Sequence, residues 1–182
     1  DLPELSGQVC RGADGGDVDG DGDLDWLFSV REPILLLREA QSLRGIGDTF
    51  GGLSTDVVTA NFIDFDLDGD LDVAAAPLGS SSTIEEPLGF NLEGVWMFEQ
   101  VEGTDGAPRF ELVTESLDLD PRLDCAANDA AAPSTALRYS GGGFVVADLD
   151  LDGDEDLFVP RPSNQCAHGP IWYENQASEG RV

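Results

Sequence analysis

A nine-residue acidic segment that occurs three times constrains the fold of this chain more than any other feature. The copies read DVDGDGDLD, DFDLDGDLD and DLDLDGDED, at residues 17–25, 64–72 and 148–156. They share the spacing D-x-D-x-D-G-D-x-D, and we call them the first, second and third loops. Their starts at 17, 64 and 148 leave intervals of 47 and 84 residues. The shorter interval fits one four-stranded sheet of a repeat protein, and the longer one contains insertions.

Short apolar segments surround each loop in the same order. One segment precedes the loop, a second follows at once and a third comes later. Segments rich in Val, Ile, Phe and Trp and separated by Gly, Pro and Asp are typical of β-strands, so we predict an all-β fold with few or no helices. The predicted strands are 26–30 and 34–37 for the first unit, 57–63, 73–76 and 95–98 for the second, and 143–147, 157–160 and 171–174 for the third.

The predicted units differ at their ends. Residues 13–16, before the first loop, are polar and rich in Gly, which predicts an irregular first unit. We expect fourth strands at 49–53 and 109–113, whereas the sequence stops at Val182, where the fourth strand of the third unit would begin. Long polar stretches at 78–93 and 116–142 are predicted to be surface insertions.

The loops have the composition of a calcium site. Calcium takes about six to eight oxygen ligands, and alternate residues of a tight loop can turn their carboxylates inward to supply them. Glycine at the sixth position permits the sharp bend, after which the seventh residue offers its carbonyl and the ninth its carboxylate. The predicted side-chain ligands are Asp17, Asp19, Asp21, Asp25, Asp64, Asp66, Asp68, Asp72, Asp148, Asp150, Asp152 and Asp156, and the predicted carbonyl donors are Asp23, Asp70 and Asp154.

Two other interpretations of the loops are weaker. An EF-hand needs an acidic ligand at position twelve, where this chain has Phe28, Ala75 and Val159. A solvated acidic turn would explain one such loop, because Asp and Gly favour turns, but not three loops with the same spacing in the same strand context. Magnesium fits less well than calcium because it requires a tighter octahedral shell. We therefore predict about three calcium ions.

A strand, the pattern D-x-D-x-D-G-x-x-D and an apolar strand together resemble the FG-GAP or VCBS repeat, the blade of integrin-α-type β-propellers. The resemblance is strongest at residues 61–76 and 144–160. It implies a calcium ion in each loop and a role in adhesion, ligand display or scaffolding. We expect one partial or open propeller over 1–182, made of about three four-stranded antiparallel blades. Their expected bounds are about 8–55, 56–116 and, incomplete, 143–182.

Composition excludes several classes of function. Acidic residues number 37 against nine basic ones, all Arg, for a net charge of −28. Such a chain cannot present a basic surface to nucleic acid or anionic lipid. No apolar run approaches the roughly 20 residues of a membrane helix, so membrane insertion is not expected. The chain also lacks a Ser-His-Asp set, a His cluster and any Lys, so we predict that it is not an enzyme.

The three cysteines form no C-x-x-C pair, and the single histidine is His168, which argues against zinc and redox motifs. Cys125 and Cys166 fall in segments expected at the same end of the third unit, so a disulfide is predicted between them. Its alternative is two buried or free thiols. Cys10 would then be a free thiol or an intermolecular partner.

Trp96 and Trp172 occupy corresponding places in the second and third units, and Leu35 takes that place in the first. Packing between blades explains this recurrence better than a sugar-binding platform does. The expected function is a secreted, cell-surface or periplasmic module that binds a protein partner or a neighbouring subunit, with open blade edges that indicate a fragment or an assembly subunit. The alternatives are a carbohydrate-binding propeller and a non-catalytic accessory domain of a secreted hydrolase.

Overall fold

The computed structural model describes residues 3–51, 57–77, 95–103, 106–113, 143–160 and 171–180. The predicted insertions at 78–93 and 116–142 and the predicted Cys125–Cys166 disulfide lie outside these residues. The described regular structure consists of eleven strands and two three-residue 3-10 helices, Pro3–Leu5 and Ala177–Glu179. No described helix has the length and apolar character needed to cross a membrane.

The strands form three antiparallel sheets, in each of which sequence neighbours pair in order. Sheet 1 contains β1 (Gly12–Gly16), β2 (Asp25–Ser29), β3 (Ile34–Glu39) and β4 (Ser42–Ile46). Sheet 2 contains β5 (Val57–Ile63), β6 (Asp72–Pro77), β7 (Trp96–Glu102) and β8 (Pro108–Leu112). Sheet 3 contains β9 (Val145–Ala147), β10 (Asp156–Val159) and β11 (Ile171–Tyr173).

The all-β prediction of blade-like antiparallel sheets is confirmed. The sheets contain four, four and three described strands, and these strands do not close into a barrel. Each acidic loop joins the first strand of its sheet to the second, as the sequence pattern predicted. The loop therefore sits at one end of its sheet, and the three loops have equivalent places in the three sheets.

Sheet 2 lies between the other two sheets, because its two faces enter two separate cores. Val73 and Ala75 pack with Leu35 of sheet 1. The alternate residue Ala74 packs with Leu157 of sheet 3. Since side chains of a strand alternate between faces, the apolar run in β6 buries both sides of the sheet, and Val73, Ala74 and Ala75 are all fully buried. The middle sheet thus contributes to both hydrophobic cores.

Polar contacts join the first strands of sheets 1 and 2. Asp14 in β1 accepts hydrogen bonds from the backbone N–H of Phe62, at 2.9 Å, and from the side-chain amide of Asn61, at 3.3 Å. Ser29 Oγ accepts a 2.8 Å bond from the N–H of Ala60. These bonds place β1 and β2 beside β5, in addition to the apolar contact between the sheets.

The prediction that the polar, Gly-rich residues 13–16 make the first unit irregular is wrong. They belong to β1, which pairs along its full length with β2. Space explains the small residues: a Cβ on Gly16 would lie 2.6 Å from Leu71 Cδ1 and 3.0 Å from Phe62 Cδ2. The glycine that weakens the sequence signal for a strand is the residue that lets sheets 1 and 2 approach.

The fourth strand of sheet 1 was also predicted wrongly, at 49–53. The strand is β4, Ser42–Ile46, whose alternating exposure makes it a partly solvated edge strand. Thr49 and Phe50 lie in a turn, and they contact sheet 2 instead. Thr49 carbonyl accepts a 2.8 Å bond from Phe110 N–H, and the Phe50 ring stacks on Phe110 at a centroid distance of 4.9 Å. The predicted fourth strand at 109–113 corresponds to β8, Pro108–Leu112.

Trp96 and Trp172 do not occupy equivalent positions. Trp172 pairs with Phe158, and Phe158 lies two residues after the end of the third loop. Leu35 likewise pairs with Leu27, which lies two residues after the end of the first loop. Trp96 pairs with Ala75, which lies three residues after its loop. A difference of one residue places a side chain on the opposite face of a sheet. Trp96 is 5% exposed in the core between sheets 1 and 2, whereas Trp172 is 48% exposed.

Candidate metal sites

The three loops share a backbone with two residues in the left-handed region. Gly22, Gly69 and Gly153 at the sixth position have φ of 90°, 95° and 103°, values that favour glycine. The fourth position is also left-handed, at Gly20, Leu67 and Leu151, with φ of 72°, 61° and 67°. The sequence reveals the first requirement, because glycine is constant at position six. It conceals the second, because leucine stands at position four in two of the three loops.

In each loop the backbone brings three carboxylates together, with one oxygen of each within 4.8 Å of the others. In the first two loops they come from positions one, three and nine, and in the third loop from positions one, three and five. The groups are Asp17, Asp19 and Asp25; Asp64, Asp66 and Asp72; and Asp148, Asp150 and Asp152. Nine of the predicted side-chain ligands are therefore clustered as expected, whereas Asp21, Asp68 and Asp156 lie outside these groups.

The fifth-position carboxylates of the first two loops have a local role. Asp21 Oδ1 accepts a 2.8 Å hydrogen bond from the N–H of Asp23. Asp68 Oδ1 accepts a 2.9 Å bond from the N–H of Asp70. Both are exposed and stabilise the turn that leads to the seventh residue. Asp23 and Asp70, the predicted carbonyl donors, also have exposed side chains.

The ninth-position aspartates form a structural tie that the sequence pattern does not reveal. In each sheet, one carboxylate oxygen accepts the N–H of the second loop residue, and the other accepts an N–H in the third strand or two residues after its end. Asp25 binds Val18 at 3.0 Å and Arg38 at 2.7 Å. Asp72 binds Phe65 at 3.3 Å and Gln100 at 2.8 Å. Asp156 binds Leu149 at 2.9 Å and Asn175 at 2.8 Å.

These ties are buried, since Asp25, Asp72 and Asp156 are at most 2% exposed. A carboxylate with both oxygens hydrogen-bonded to backbone N–H groups fixes the loop entrance against the third strand. Loop and sheet are therefore joined through one side chain. The signal that could have indicated this role is the position of the ninth Asp: it is the first residue of β2, β6 and β10, where an apolar residue would be expected.

The second loop contains an oxygen without a protein partner. Asp64 Oδ1 is buried and accepts no hydrogen bond from the described residues. A buried carboxylate oxygen without a donor is costly, so such an atom calls for a cation or an ordered water. Asp64 is a member of the carboxylate group of its loop. The residues therefore fit a hard cation at this place.

Burial and mutual repulsion raise the pKa values of several loop carboxylates. Burial raises the pKa of Asp72 from 3.8 to about 7, against the opposing effect of its bonds to Gln100 and Phe65, and the carboxylates of Asp66 and Asp68 add to the increase. Burial, followed by the nearby carboxylate of Asp25, raises the pKa of Asp19. Burial also raises the pKa of Asp66. A cation would offset both the lost hydration and the repulsion.

The third loop differs because the segment after β11 packs on it. The Ser178 hydroxyl donates a 2.8 Å hydrogen bond to Asp152 Oδ2, which lowers the pKa of Asp152, and the N–H of Asp154 lowers it further. Partial desolvation, followed by the charge of Asp152, raises the pKa of Asp150. Asp154 is 1% exposed and accepts a 3.0 Å bond from the N–H of Ser178, while its Oδ1 has no partner among the described residues.

Asn175 joins the third loop to the second. Its side-chain amide donates to the carbonyl of Phe65 at 2.8 Å and to that of Glu155 at 3.3 Å. Burial raises the pKa of Glu155, against the effect of a hydrogen bond from Asp64 N–H, and the carboxylates of Asp64 and Asp14 raise it further. Neither Asn175 nor Ser178 belongs to the repeated pattern, so sequence reasoning missed both.

The described cysteine, Cys10, is an exposed free thiol, and its Sγ lies 3.2 Å from the carbonyl of Gly12. No family model matches the chain, and no curated protein matches it.

Proposed function

We propose that the chain is a non-catalytic calcium-binding module of the FG-GAP or VCBS type, in which one Ca²⁺ ion stabilises each of three loops. The single observation that carries the proposal is the repeated carboxylate group, which includes the buried, unpartnered oxygen of Asp64. Three loops with the same sequence spacing and equivalent places in three sheets are not expected from chance acidic turns.

The donor set favours calcium among common cations. Every clustered side-chain donor is a carboxylate oxygen, which suits a hard cation, and the groups contain neither His nor Cys. Further donors are available from the backbone, notably the carbonyls of Asp23 and Asp70. Calcium accepts about six to eight oxygens in flexible geometry, whereas magnesium demands near-ideal octahedral ligands and dehydrates reluctantly.

The proposed ion has a structural role. It would neutralise carboxylates whose pKa values are raised by burial and repulsion, as for Asp19 and Asp66. It would also fix the loop whose ninth residue ties the second strand to the third. Ions that bind only the folded state add stability by mass action, about 2.7 kcal/mol for a site at 100 times its dissociation constant.

The proposed setting is outside the cytoplasm, at the cell surface or in the periplasm, where calcium is abundant. Extracellular calcium modules work with dissociation constants of about 10⁻⁴ to 10⁻³ M. The proposed role is contact with a protein partner or a neighbouring subunit on a calcium-stiffened scaffold. The net charge of −28 keeps the chain soluble but opposes compaction, and bound cations would reduce this self-repulsion.

Thermal unfolding in excess EDTA and in 2 mM calcium tests the proposal, with titration calorimetry to count sites. We expect a higher melting temperature in calcium, about three sites, and a much smaller effect of 2 mM magnesium. The same melting temperature in EDTA and calcium, with no binding heat, would show that the loops are only acidic turns.

A matched pair of substitutions in the second loop separates a ligand from a neighbouring charge. Asp66→Asn removes a clustered carboxylate and should reduce the count by one site. Asp70→Asn makes the same charge change in the same loop, at an exposed residue whose carbonyl is the proposed donor, and should keep the site. Equal loss of binding in both variants would refute the assignment of donors.

A further inference from the structure

The outer face of sheet 3 carries an exposed apolar row. Val145 pairs with Phe158, and Phe158 pairs with Trp172, so the three side chains cross the sheet side by side. Val145 is 52% exposed, Trp172 is 48% exposed and Phe158 is half-buried. An exposed cluster of this kind on a folded sheet indicates a contact surface.

The equivalent rows on the other two sheets are covered by the next sheet in the sequence. Leu27 and Leu35 have in sheet 1 the register of Phe158 and Trp172, and they are fully buried in the core with sheet 2. The equivalent residues of sheet 2, Ala74 and Met97, are buried in the core with sheet 3. The row on sheet 3 therefore corresponds to the rows of sheets 1 and 2 on which the next sheet packs.

Sheet 1 presents the complementary face on its far side. Trp26 and Phe28 have the register of Val73 and Ala75, the residues through which sheet 2 packs on sheet 1. Trp26 and Phe28 are half-buried, with stacked rings 6.4 Å apart. Leu36, on the same face, is fully buried, and Glu4 of the first 3-10 helix lies against Gly45 at the β4 side. No described sheet covers this face, and its partly exposed side is the one with Trp26, Phe28 and Ile34. The chain therefore carries both halves of its own repeated interface, one at each end of the stack.

We propose that two copies of this chain associate head to tail, with the Val145–Phe158–Trp172 row of each copy packed on the Trp26 face of sheet 1 of the other. The charges beside the two faces are complementary. Glu174, two residues after Trp172, is exposed, and Arg38, on the Trp26 face of β3, is also exposed. Two copies supply six described sheets, within the roughly four to eight of closed propellers, so a head-to-tail pair can close on itself as a dimer.

This inference rests on the register of the sheets and not on the identity of the bound cation, so it can fail while the calcium proposal holds. Light scattering on the 182-residue chain, in 150 mM NaCl and 2 mM calcium over about 1–100 µM protein, should give twice the 19.3 kDa mass of the chain at the upper concentrations. The salt limits repulsion between the acidic copies to about 8 Å.

Substitutions on the two faces test the head-to-tail geometry. Trp172→Glu alters the sheet 3 row, and Trp26→Glu or Ile34→Glu alters the sheet 1 face. Each should weaken association by at least tenfold, since large aromatic residues dominate such interfaces. Val9→Glu, at a 68% exposed residue that belongs to neither face and lies outside the acidic loops, adds the same charge and should leave the mass unchanged. A cooperative thermal melt of each variant shows that it is folded.

Mixing gives the decisive result. Trp172→Glu retains an intact sheet 1 face, and Trp26→Glu retains an intact sheet 3 row, so an equimolar mixture should form a heterodimer through one intact interface although neither variant associates alone. A folded wild-type chain that remains monomeric at 100 µM overturns the proposal. Association that is lost in Trp172→Glu but unchanged in both sheet 1 variants also overturns it, because it indicates a symmetric contact between two sheet 3 rows.

Discussion

Asp156→Ala should destabilise the protein to the same extent with and without calcium, because the primary role of this side chain is to tie the third loop to β11. The substitution leaves the N–H groups of Leu149 and Asn175 without their acceptor. An unpaired buried donor costs about 1–3 kcal/mol. Both donors are only partly buried, so water can compensate in part, and we expect a total near the lower end, about 2–3 kcal/mol.

That loss is large enough to measure. For a chain of this length, each kcal/mol lowers the melting temperature by about 2–4 °C, so the expected decrease is about 4–12 °C. Urea unfolding followed by tryptophan fluorescence gives the free energy directly. Asp156→Asn keeps one acceptor oxygen and should lose about half as much, since one of the two hydrogen bonds survives.

Asp150→Asn is the matched control, because Asp150 belongs to the carboxylate group of the same loop whereas Asp156 does not. Its effect should be confined to calcium-containing buffer. If Asp156→Ala were as stable as wild type in EDTA and lost stability only in calcium, the residue would be a metal ligand and the structural tie would be refuted.

Three further predictions concern the loops and the contact between sheets. Leu151→Gly removes the strain of a left-handed leucine and should raise the free energy of unfolding by at most about 1 kcal/mol, whereas Leu149→Gly, at ordinary φ, should lower it by about 0.5–1 kcal/mol. Urea titrations that show equal effects for the two variants would contradict this prediction. Gly16→Ala should lower the free energy of unfolding by about 1–3 kcal/mol because the new Cβ meets Leu71 and Phe62, whereas Gly12→Ala, whose Cβ would have its nearest contact at 3.4 Å, should be neutral or stabilising. If urea titration finds both variants neutral, the close approach of sheets 1 and 2 at Gly16 is refuted. Burial raises the pKa of Asp72 from 3.8 to about 7, so the folded state binds a proton more tightly than the unfolded state does. The calcium-free free energy of unfolding should therefore fall as the pH rises from 5 to 8, and calcium binding should release protons in that range. Calorimetry in buffers of different ionisation enthalpy would contradict this if it found no proton release.

Sequence reasoning predicted the described strands of sheets 2 and 3 well and missed the two edge strands of sheet 1. The strand at 57–63 was predicted with the observed bounds, because an apolar run directly before a constant loop is a strong signal. β1 and β4 were missed because neither depends on its own apolar residues. Gly16 is small to admit sheet 2, and β4 is a solvated edge strand. The reasons why these residues form strands lie in contacts with neighbouring strands and sheets, and a local stretch of sequence does not show them.

The candidate site shows the same division. Spacing alone predicted which loops gather carboxylates, since D-x-D-x-D places alternate side chains on one side of a turn. It could not reveal that Asp25 is a structural tie as well as a member of the carboxylate group, because Asp25 and Asp17 are the same residue type in one motif. Only the hydrogen bonds to Val18 and Arg38 make that distinction. Likewise, Asn175 and Ser178 reach the third loop from outside the repeat.

The position of sheet 2 between two cores determines how the chain should lose structure. In a stack where each unit contacts only its neighbours, stability is approximately the sum of unit and interface contributions. In the monomer, sheet 2 shares in both interfaces, and sheets 1 and 3 in one each. Fraying at either end removes one interface, whereas opening the middle removes both. The chain should therefore unfold inward from its ends, and the second loop should be the last of the three to lose its shape.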